Sequence, residues 1–175
     1  MLDAAKNTGT AYPYLRNTNL QWRRFDLSDI KEIHLEPYEL GEYRLLPGDL
    51  LICEGGEPGR CAIWLDSDTE MYFQKALHRV RPFGGVSSEY LAITFEADVR
   101  AGRLDELFTG ATIKHFTGQA LERYVFALPP LAEQSRIVAR VAELRALCAQ
   151  LRDRLATTAQ TRSRLAEALL EQAVA

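Results

Sequence analysis

The segment from residue 131 to Ala175 contains neither glycine nor proline, and it follows directly on a Pro-Pro pair. Proline fits the first turn of a helix, because its missing N–H would have no intrahelical partner there. Glu133 in the same turn complements the positive end of the helix dipole. The sequence therefore predicts one long helix from about Leu131 to Gln172, roughly 60 Å long at 1.5 Å per residue.

This predicted helix carries two sets of positions spaced seven residues apart, which is typical of a coiled coil. Eight of the ten positions are apolar; at the exceptions, Thr158 and Arg162, pairing is expected to be weaker or to set the register. The part of the chain before this helix is too small to cover a row of apolar side chains of that length. We therefore expect a partner helix, from a second copy or from another subunit. The alternative is a helix folded back on its own head. The expected partner interface comprises Ile137, Val141, Leu144, Cys148, Leu151, Leu155, Leu165 and Leu169.

The part of the chain before the helix predicts a compact domain with many short strands. The expected fold class is α+β: a mixed, strand-rich globular domain over residues 1–128, followed by a long coiled-coil-forming helix over residues 129–175. A glycine-rich segment, 55–59, lies between two apolar stretches and predicts a hairpin with a wide tip. The predicted strands are 12–16, 49–53, 60–64, 74–80 and 123–128, and the predicted helices are 26–32 and one from Ser87 or Ser88 to about Val99.

The charge of the predicted head is acidic. Residues 1–130 carry 14 Lys and Arg against 19 Asp and Glu, whereas residues 131–175 carry 7 against 5. A head that bound nucleic acid mainly through phosphates would normally be basic. The charge therefore argues against DNA binding by this chain alone, and leaves room for binding through a local face. With no apolar run of transmembrane length, no signal peptide and no CxxC pair, we expect a cytoplasmic protein that contacts no membrane.

Motifs for catalysis and metal binding are missing. The glycines of residues 55–59 form neither a phosphate loop nor a dinucleotide fingerprint, because GxxxxGK[ST] is absent and no helix follows. The 3 histidines are scattered without metal-ligand spacing, and no Ser, His and Asp set stands out. The sequence thus predicts no catalytic residue and no metal site. The glycine segment is either a plain hairpin turn or a backbone that approaches a ligand closely.

Three clusters hold side chains that suit contacts with bases and phosphates. The first, 16–24, combines Arg, Asn and Gln with a Trp. In the second, 75–81, a strand would put the Lys and both Arg on one face and His78 on the other. The third is the loop 110–115. Each can equally be an ordinary solvated segment. The candidate DNA contacts are Arg16, Asn17, Asn19, Gln21, Trp22, Arg23, Lys75, Arg79, Thr112, Lys114 and His115.

Five short motifs follow one another along nearly the whole chain. They are Pro13–Asn19, Gly48–Gly56, Gly59–Ala62, Gly110–Ile113 and Leu128–Gln134. In this order, and ending in Pro-Pro-Leu-x-Glu-Gln at a helix start, they resemble one half of a specificity subunit of a type I restriction–modification system. Each motif alone is weak, whereas the ordered set is fairly specific.

The resemblance implies a target recognition domain over 1–128 that reads one half of a split sequence in double-stranded DNA. It implies a helix over 129–175 that acts as spacer and docks the modification subunits. Catalysis would lie elsewhere, with S-adenosylmethionine on the modification subunit, and ATP and Mg²⁺ on the restriction subunit. The expected partners are these two subunits and a second copy or another half subunit.

Full specificity subunits usually carry two recognition domains and two such helices. A natural half subunit, a truncated product and a fragment therefore all remain open. Two other functions also remain open: a recognition domain detached from a fused methyltransferase–nuclease, and a coiled-coil interaction protein whose head does not bind DNA.

Overall fold

The structure is a computed structural model that describes residues 8–110 and 114–174. It confirms the predicted α+β class with a long final helix. A 3₁₀ turn spans Asp105–Leu107. The other elements are β1 Thr10–Leu15, β2 Leu20–Gln21, β3 Arg24–Phe25, β4 Lys31–Leu35, α1 Leu40–Tyr43, β5 Leu50–Cys53, β6 Cys61–Ile63, β7 Tyr72–Phe73, β8 Leu77–Val80, α2 Ser88–Arg100, α3 Gly118–Glu122 and α4 Leu131–Val174.

Internal contacts divide the chain into two compact units, with the boundary between Gln134 and Ser135. We call the first unit the head and the second the arm. The boundary that the sequence predicts between recognition domain and docking helix, 128/129, is a functional division and stays a prediction.

The strands of the head pair into three small sheets. β1 lies between β4, which is antiparallel to it, and β7, which is parallel to it. β2 and β3 form a short hairpin. β5 lies between β6 and β8 and is antiparallel to both. The predicted hairpin on either side of the glycine-rich tip is therefore confirmed as β5 and β6.

β5 separates two apolar cores and is buried at all four of its positions. Leu51 and Cys53 face the core built around β1 and β7, whereas Leu50 and Ile52 face the core that α2 covers. Successive side chains of a strand point to opposite faces, so one short apolar run serves both cores. The sequence of β5 therefore shows no polar alternation, as expected for a strand buried on both faces.

An ion pair fixes the start of β5 to the end of β8. Arg81 donates through Nε and Nη2 to the two carboxylate oxygens of the fully buried Asp49, at 2.6 and 2.8 Å. These hydrogen bonds raise the pKa of the Arg81 guanidinium above its usual value. Asp49 also accepts the N–H of Leu46 at 2.8 Å, so the carboxylate holds both the turn before β5 and the strand beside it.

Gln134, in the first turn of α4, also connects separate segments of the head through hydrogen bonds, and it is 1% exposed. Its Oε1 accepts the N–H of Ser87 at 2.8 Å. Its Nε2 donates to the carbonyl oxygens of Gly85 and Pro129, both at 2.9 Å. Ser87 is the N-cap of α2 and accepts the N–H of Tyr90 at 3.1 Å, which confirms one of the two predicted caps.

Three local predictions are wrong. Residues 26–32 are not a helix, because Lys31–Leu35 pairs with β1 as β4 and the side chain of Asp26 closes a turn onto Ser28. The strand predicted over 74–80 begins only at Leu77, because Leu77 N–H bonds back to Gln74 in a turn. Residues 123–128 contain no strand in the described chain; they follow α3 without a strand partner.

α4 is one continuous helix, which confirms the helix predicted from the run without glycine or proline. Three threonine hydroxyls in its middle donate to the carbonyl four residues earlier, so these polar groups are satisfied within the helix. Within the described residues, no helix is both long and apolar enough to cross a membrane.

Candidate nucleic-acid interface

The first candidate cluster begins with a loop that is held by its own polar groups. Arg16 Nη2 donates to a carboxylate oxygen and to the carbonyl of Asp29, both at 2.8 Å. The hydrogen bond from Arg16 to the Asp29 carboxylate is the largest cause that lowers the pKa of that carboxyl. Asn19 is 3% exposed; it accepts the N–H of Arg16 and donates to the carbonyls of Asp26 and Asp29. Asn19 therefore has no free polar group, and Arg16 is engaged in an ion pair.

The hairpin turn between β2 and β3 is bound to neighbouring elements. Trp22 Nε1 donates to Glu57 at 2.6 Å, and the Arg100 guanidinium lies 4.4 Å from the centre of the Trp22 ring. Arg23 has a φ of 65°, the one positive φ of a non-glycine residue in the described chain, and its half-exposed side chain lies 3.7 Å from Glu96. Gln21 donates to the Thr18 carbonyl at 3.1 Å.

The second cluster does not form the predicted basic row. Lys75 is exposed in the turn before β8, and Arg81 lies beyond β8, paired with Asp49. Arg79 donates to the Arg44 carbonyl at 2.7 Å, and burial is the main cause that lowers its pKa. His78 Nε2 lies 2.6 Å from the Phe116 carbonyl oxygen. The Arg81 side chain is 45% exposed beside its ion-pair partner, and Lys75, His78 and Arg79 lie at an open surface.

That surface is a groove of about 390 Å³ beside β8 and α3. Lys75 and Arg79 line it together with Glu42 and Glu122, so the charges of opposite sign offset one another. Its floor includes the aromatic rings of Tyr43 and Phe73 and the side chain of Leu77. The groove is therefore not a strongly positive site for a phosphate.

The third cluster is a loop closed by a pair of backbone hydrogen bonds. Thr109 and His115 exchange both N–H···O bonds, at 2.9 and 2.7 Å. Lys114 and His115 are exposed, and Lys114 Nζ lies 5.9 Å from the ring centre of Phe108. Thr112 lies outside the described residues.

Segments from all three clusters meet at the glycine-rich tip. The Glu54 N–H donates to the Ala76 carbonyl at 3.0 Å, and the Glu54 carbonyl accepts the Phe116 N–H at 2.7 Å. Glu54 is thus fixed between the turn that holds Lys75 and the loop that holds His115. Residues that lie far apart in sequence become neighbours at this position.

Gly55 extends the meeting point to the first cluster. Asn17 Nδ2 points at the Gly55 carbonyl at 3.4 Å, while Arg60 Nη2 donates to the Asn17 carbonyl at 2.8 Å. A Cβ at Gly55 would lie 3.2 Å from Nδ1 of His115, so a larger residue would push the histidine away. The tip therefore brings Asn17, Lys75, Lys114 and His115 into one region, which we call the tip site: residues 54–56 with Asn17, 75–76 and 114–116.

The backbone of the tip is open where a ligand could approach. In the described chain, the N–H groups of Gly55, Gly56 and Glu57 donate no hydrogen bond. Gly56 has a φ of 79° and nothing within 4 Å of its Cβ direction, whereas at Gly59 the side chain of Val99 would lie 2.9 Å away. Consecutive free N–H groups next to a left-handed residue suit close contact with an acceptor. Packing requires Gly59, whereas the space at Gly56 is free.

The arm leaves most of its predicted interface uncovered. Ile137 and Val141 are half-buried, and Cys148 is exposed. The leucines of the two heptad positions are Leu144, Leu151, Leu155, Leu165 and Leu169, and their exposed fractions run from 45 to 70%. An exposed apolar stripe of this kind, interrupted at Thr158 and Arg162, is typical of an interaction surface.

Neither a metal centre nor a disulfide occurs in the described chain. No group of three or more His, Cys, Asp and Glu side chains could hold a metal ion there. The three cysteines are free, and burial raises the pKa of the Cys53 thiol.

No family model matches the chain. The specificity subunit of the type I restriction enzyme EcoKI from Escherichia coli (strain K12) is 25% identical over 173 residues, which are 95% of this chain and 37% of that protein. The HsdS subunit from Thermoanaerobacter tengcongensis superposes with a TM-score of 0.67 at 22% identity, over 93% of this chain and 43% of that one. A chain from a structure of a type I restriction–modification system, solved to explain its assembly and conformational transition, gives a TM-score of 0.65 at 21% identity.

The resemblance to one half of a type I specificity subunit is confirmed. The chain spans about two fifths of the length of the proteins that it matches. It has the fold of a type I specificity-subunit fragment that covers one domain and one long helix. Specificity subunits are the non-catalytic members of their systems, in agreement with the class that the sequence predicts.

Sequence reasoning did not single out Glu54, Ala76 or Phe116, whose backbone groups join the three clusters. The glycines that follow β5 were the available signal, because they indicated either a turn or a close approach to a ligand. The meeting of the clusters depends on contacts between residues far apart in sequence, which no local pattern encodes.

Proposed function

We propose that this chain is a non-catalytic DNA-recognition subunit of a type I restriction–modification complex. Its head reads one half of a split target in double-stranded DNA. Its arm docks the methyltransferase subunits and pairs with a second copy or with another half subunit. S-adenosylmethionine on the modification subunit, and ATP and Mg²⁺ on the restriction subunit, supply the chemistry, and the complex works in the cytoplasm.

The observation that carries this proposal is the tip site. Three separate segments with base-reading or phosphate-binding side chains meet at Glu54 and Gly55. Asn17, Lys114 and His115 can act as donors there, and the free N–H groups of Gly56 and Glu57 add donors without a side chain. A protein that reads base edges needs this mixture of donors and acceptors on a rigid frame.

The acidic head limits what the tip site can do alone. With 19 acidic against 14 basic residues before position 131, attraction to phosphates is weak. We therefore assign sequence reading to the head, and most of the affinity for the DNA backbone to the partner subunits. Because phosphate contacts make affinity salt-dependent, the salt dependence of the complex should come mainly from those partners.

The proposal is tested by co-expression with a type I modification subunit from the same genome. Adenine methylation is then mapped along the genomic DNA of cells with and without this chain. We expect one defined split motif that disappears when the chain is deleted. An unchanged methylation map, or a chain that does not co-purify with a methyltransferase polypeptide, would count against the function.

The net negative charge of residues 1–130 favours a second function, that of a coiled-coil interaction protein whose head does not bind DNA. The exposed leucines of the arm support it equally. Binding of the assembled complex to duplex DNA at several salt concentrations separates the two functions, since only a DNA-recognition subunit gives sequence-dependent binding. The recognition domain of a fused methyltransferase–nuclease differs from both, because it would have no separate methyltransferase polypeptide.

A further inference from the structure

The charged residues of the arm are not spread evenly around α4. Because the apolar positions of the stripe are alternately four and three residues apart, they correspond to the d and a positions of a heptad. The residue after each d position and the residue before each a position then lie at the two edges of the stripe. Four of the 7 arginines after residue 130 lie at these edges, and we call them the flank arginines: Arg140, Arg145, Arg152 and Arg154.

Acidic residues do not occur at the same edges. The other edge positions between residues 137 and 169 carry Val, Leu, Ala or Thr, and none carries Asp or Glu. The acidic residues of the arm lie instead at heptad positions that point away from the stripe, and they are Glu143, Asp153, Glu167 and Glu171. The edges of the stripe are therefore either positive or neutral.

The structure places positive side chains around an apolar groove at the start of the arm. Arg136 and Arg140 line this groove of about 370 Å³ together with Ile137 and Val141. Arg140 bonds to Glu143 at 2.9 Å, but both side chains are about two thirds exposed. An exposed pair of this kind contributes little, so Arg140 remains accessible to a carboxylate of a partner.

The same arrangement occurs further along the arm. Arg152 and Arg154 are exposed at opposite edges of the stripe, beside Leu151 and Leu155. Arg162 occupies an a position within the stripe itself, and it is exposed in the single chain. A second helix that packs on such a position removes the charge from water, so it must supply a carboxylate to that charge.

A second copy of the arm would not supply these carboxylates. In a coiled coil, the edge residues of one helix face the edge residues of the other, and these contacts set the choice of partner and the orientation. Between two copies, arginines would meet arginines or neutral side chains. Like charges at such positions weaken association. The charge pattern therefore opposes the pairing of two identical arms.

Duplex DNA is another anionic partner that the flank arginines could attract. Phosphates, however, would leave the apolar side chains between the arginines exposed to water, with Leu144, Leu151 and Leu155 uncovered. A helix with its own apolar stripe covers these leucines and can place carboxylates at both edges. The combination of an apolar stripe with positive edges thus favours a helix over DNA.

We infer that the arm binds an α-helix of another polypeptide whose apolar stripe is bordered by Asp and Glu, in preference to a second copy of this chain. This inference rests on the part of the proposed function in which the arm pairs with another helix. It decides between the two partners that the proposed function leaves open.

The experiment uses the full chain, with a variant of the same chain as an acidic probe. The probe keeps the apolar stripe and carries glutamate at all four flank positions: Arg140→Glu, Arg145→Glu, Arg152→Glu and Arg154→Glu. Analytical ultracentrifugation with one labelled component measures binding. We expect the parent to bind the probe about tenfold more tightly than it binds itself, because weak charge pairs at several positions act together.

The control probe carries four new glutamates at exposed alanines away from the stripe: Ala142→Glu, Ala146→Glu, Ala149→Glu and Ala156→Glu. It should bind the parent no more tightly than the parent binds itself. Equal binding of the parent to both probes would overturn the inference, since general attraction rather than position would then explain it.

Two further outcomes separate the inference from the proposed function. A parent that binds itself as tightly as it binds the acidic probe would overturn the inference and leave the pairing of the arm intact. A parent that binds neither itself nor either probe would overturn the inference and also refute the arm pairing of the proposed function.

The self-association of the parent gives a test that does not depend on how the variants fold. Salt shortens the range of charge interactions, to about 10 Å at 0.1 M and about 3 Å at 1 M. Self-association of the parent should therefore strengthen as sodium chloride rises over this range, whereas its binding to the acidic probe should weaken. Self-association that does not strengthen would overturn the inference.

Binding to a duplex without a target half-site tests the DNA alternative. Replacement of the four flank arginines by glutamine should leave the affinity of the chain for this duplex unchanged. A clear loss of duplex affinity in that variant, together with no preference of the parent for the acidic probe, would overturn the inference and assign the arginines to DNA.

Discussion

Leucines on β5 and on α4 have opposite surroundings. Leu50 and Leu51 are fully buried between two cores of the head, whereas Leu151 and Leu155 are 49 and 70% exposed on the arm. The head thus buries its apolar side chains within one chain, through contacts between distant segments. The arm is regular and local, and its apolar side chains remain exposed in the single chain. The apolar side chains of the head are therefore buried by the head itself, whereas those of the arm remain accessible to a partner helix.

The largest expected effect comes from placing charge on the stripe of the arm. Leu144→Asp with Leu151→Asp should abolish assembly with the partner helix, because each aspartate would be buried against apolar neighbours. Thermal unfolding of the head should not change. Mass measurement by light scattering after size-exclusion chromatography reports the assembly.

The control for that variant is Ala146→Asp with Gln160→Asp, which adds the same charges at exposed positions off the two heptad sets. It should assemble like the parent. A Leu144/Leu151 variant that assembles normally would refute the contrast between head and arm, since the stripe would then pack in some other way.

The second effect compares one ion pair in each region. Arg81→Met leaves the Asp49 carboxylate buried without its partner, so the head should lose about 3 kcal/mol in its free energy of unfolding. Arg140→Met removes an arm pair with Glu143 in which both side chains are about two thirds exposed, and should change stability by less than about 0.5 kcal/mol. Urea unfolding measures both, and similar losses would show that burial does not separate the two pairs.

Gln134 gives a smaller effect at the first turn of α4. Gln134→Leu removes three hydrogen bonds of a buried side chain and leaves backbone groups of Gly85, Ser87 and Pro129 without these partners. We expect the free energy of unfolding of the head to fall by roughly 1–3 kcal/mol. Gln150→Leu, at an exposed position of the same helix, is the comparison and should be neutral. Equal stability of the two variants would mean that the hydrogen bonds of Gln134 contribute nothing to the free energy of unfolding.

The smallest effect is a pH dependence at the loop of Asp29. Hydrogen bonds from Arg16 and Lys31 lower the pKa of the folded-state carboxyl below its ordinary 3.8. The resulting stabilisation is present above that value and is lost as the pH falls through the lower folded-state pKa. Asp29→Asn should therefore be slightly less stable than the parent at pH 7, and the difference should narrow in acid. A constant difference across the acid range would exclude this linkage.

The sequence predicted those elements whose signals are local. The continuous helix α4 follows from the absence of Gly and Pro, the cap at Ser87 from residue type, and the hairpin of β5 and β6 from its glycine tip. Residues 26–32 were wrongly predicted as a helix, because pairing between β1 and β4 overrides local preference. Residues 123–128 were wrongly predicted as a strand, because nothing in the sequence indicated that no strand lies beside them.

The same distinction between local signals and long-range contacts applies to the residues of the candidate site. Residue types identified Asn17, Lys114 and His115, and the structure brings them to one place. The same reasoning selected Asn19 and Trp22, whose polar groups are used inside the head. Only the three-dimensional contacts distinguish a side chain that supports a loop from one that is free to bind. Their roles in DNA contact stay predictions.

Under the proposed function, the unbroken course of α4 has a consequence for how the DNA target could change during evolution. If two copies pair through their arms, adding one heptad moves the heads by about 10 Å at 1.5 Å per residue, or on the order of three base pairs at 3.4 Å each. Three base pairs also rotate the groove by roughly 100°, given about 10.5 base pairs per turn. A full turn of 34–36 Å corresponds to about three heptads. If the same groove is to face each head, the length of the spacer between the half-sites should therefore change in steps of about one turn of DNA. A smaller change in spacer length would require the heads to rotate about the DNA axis as well.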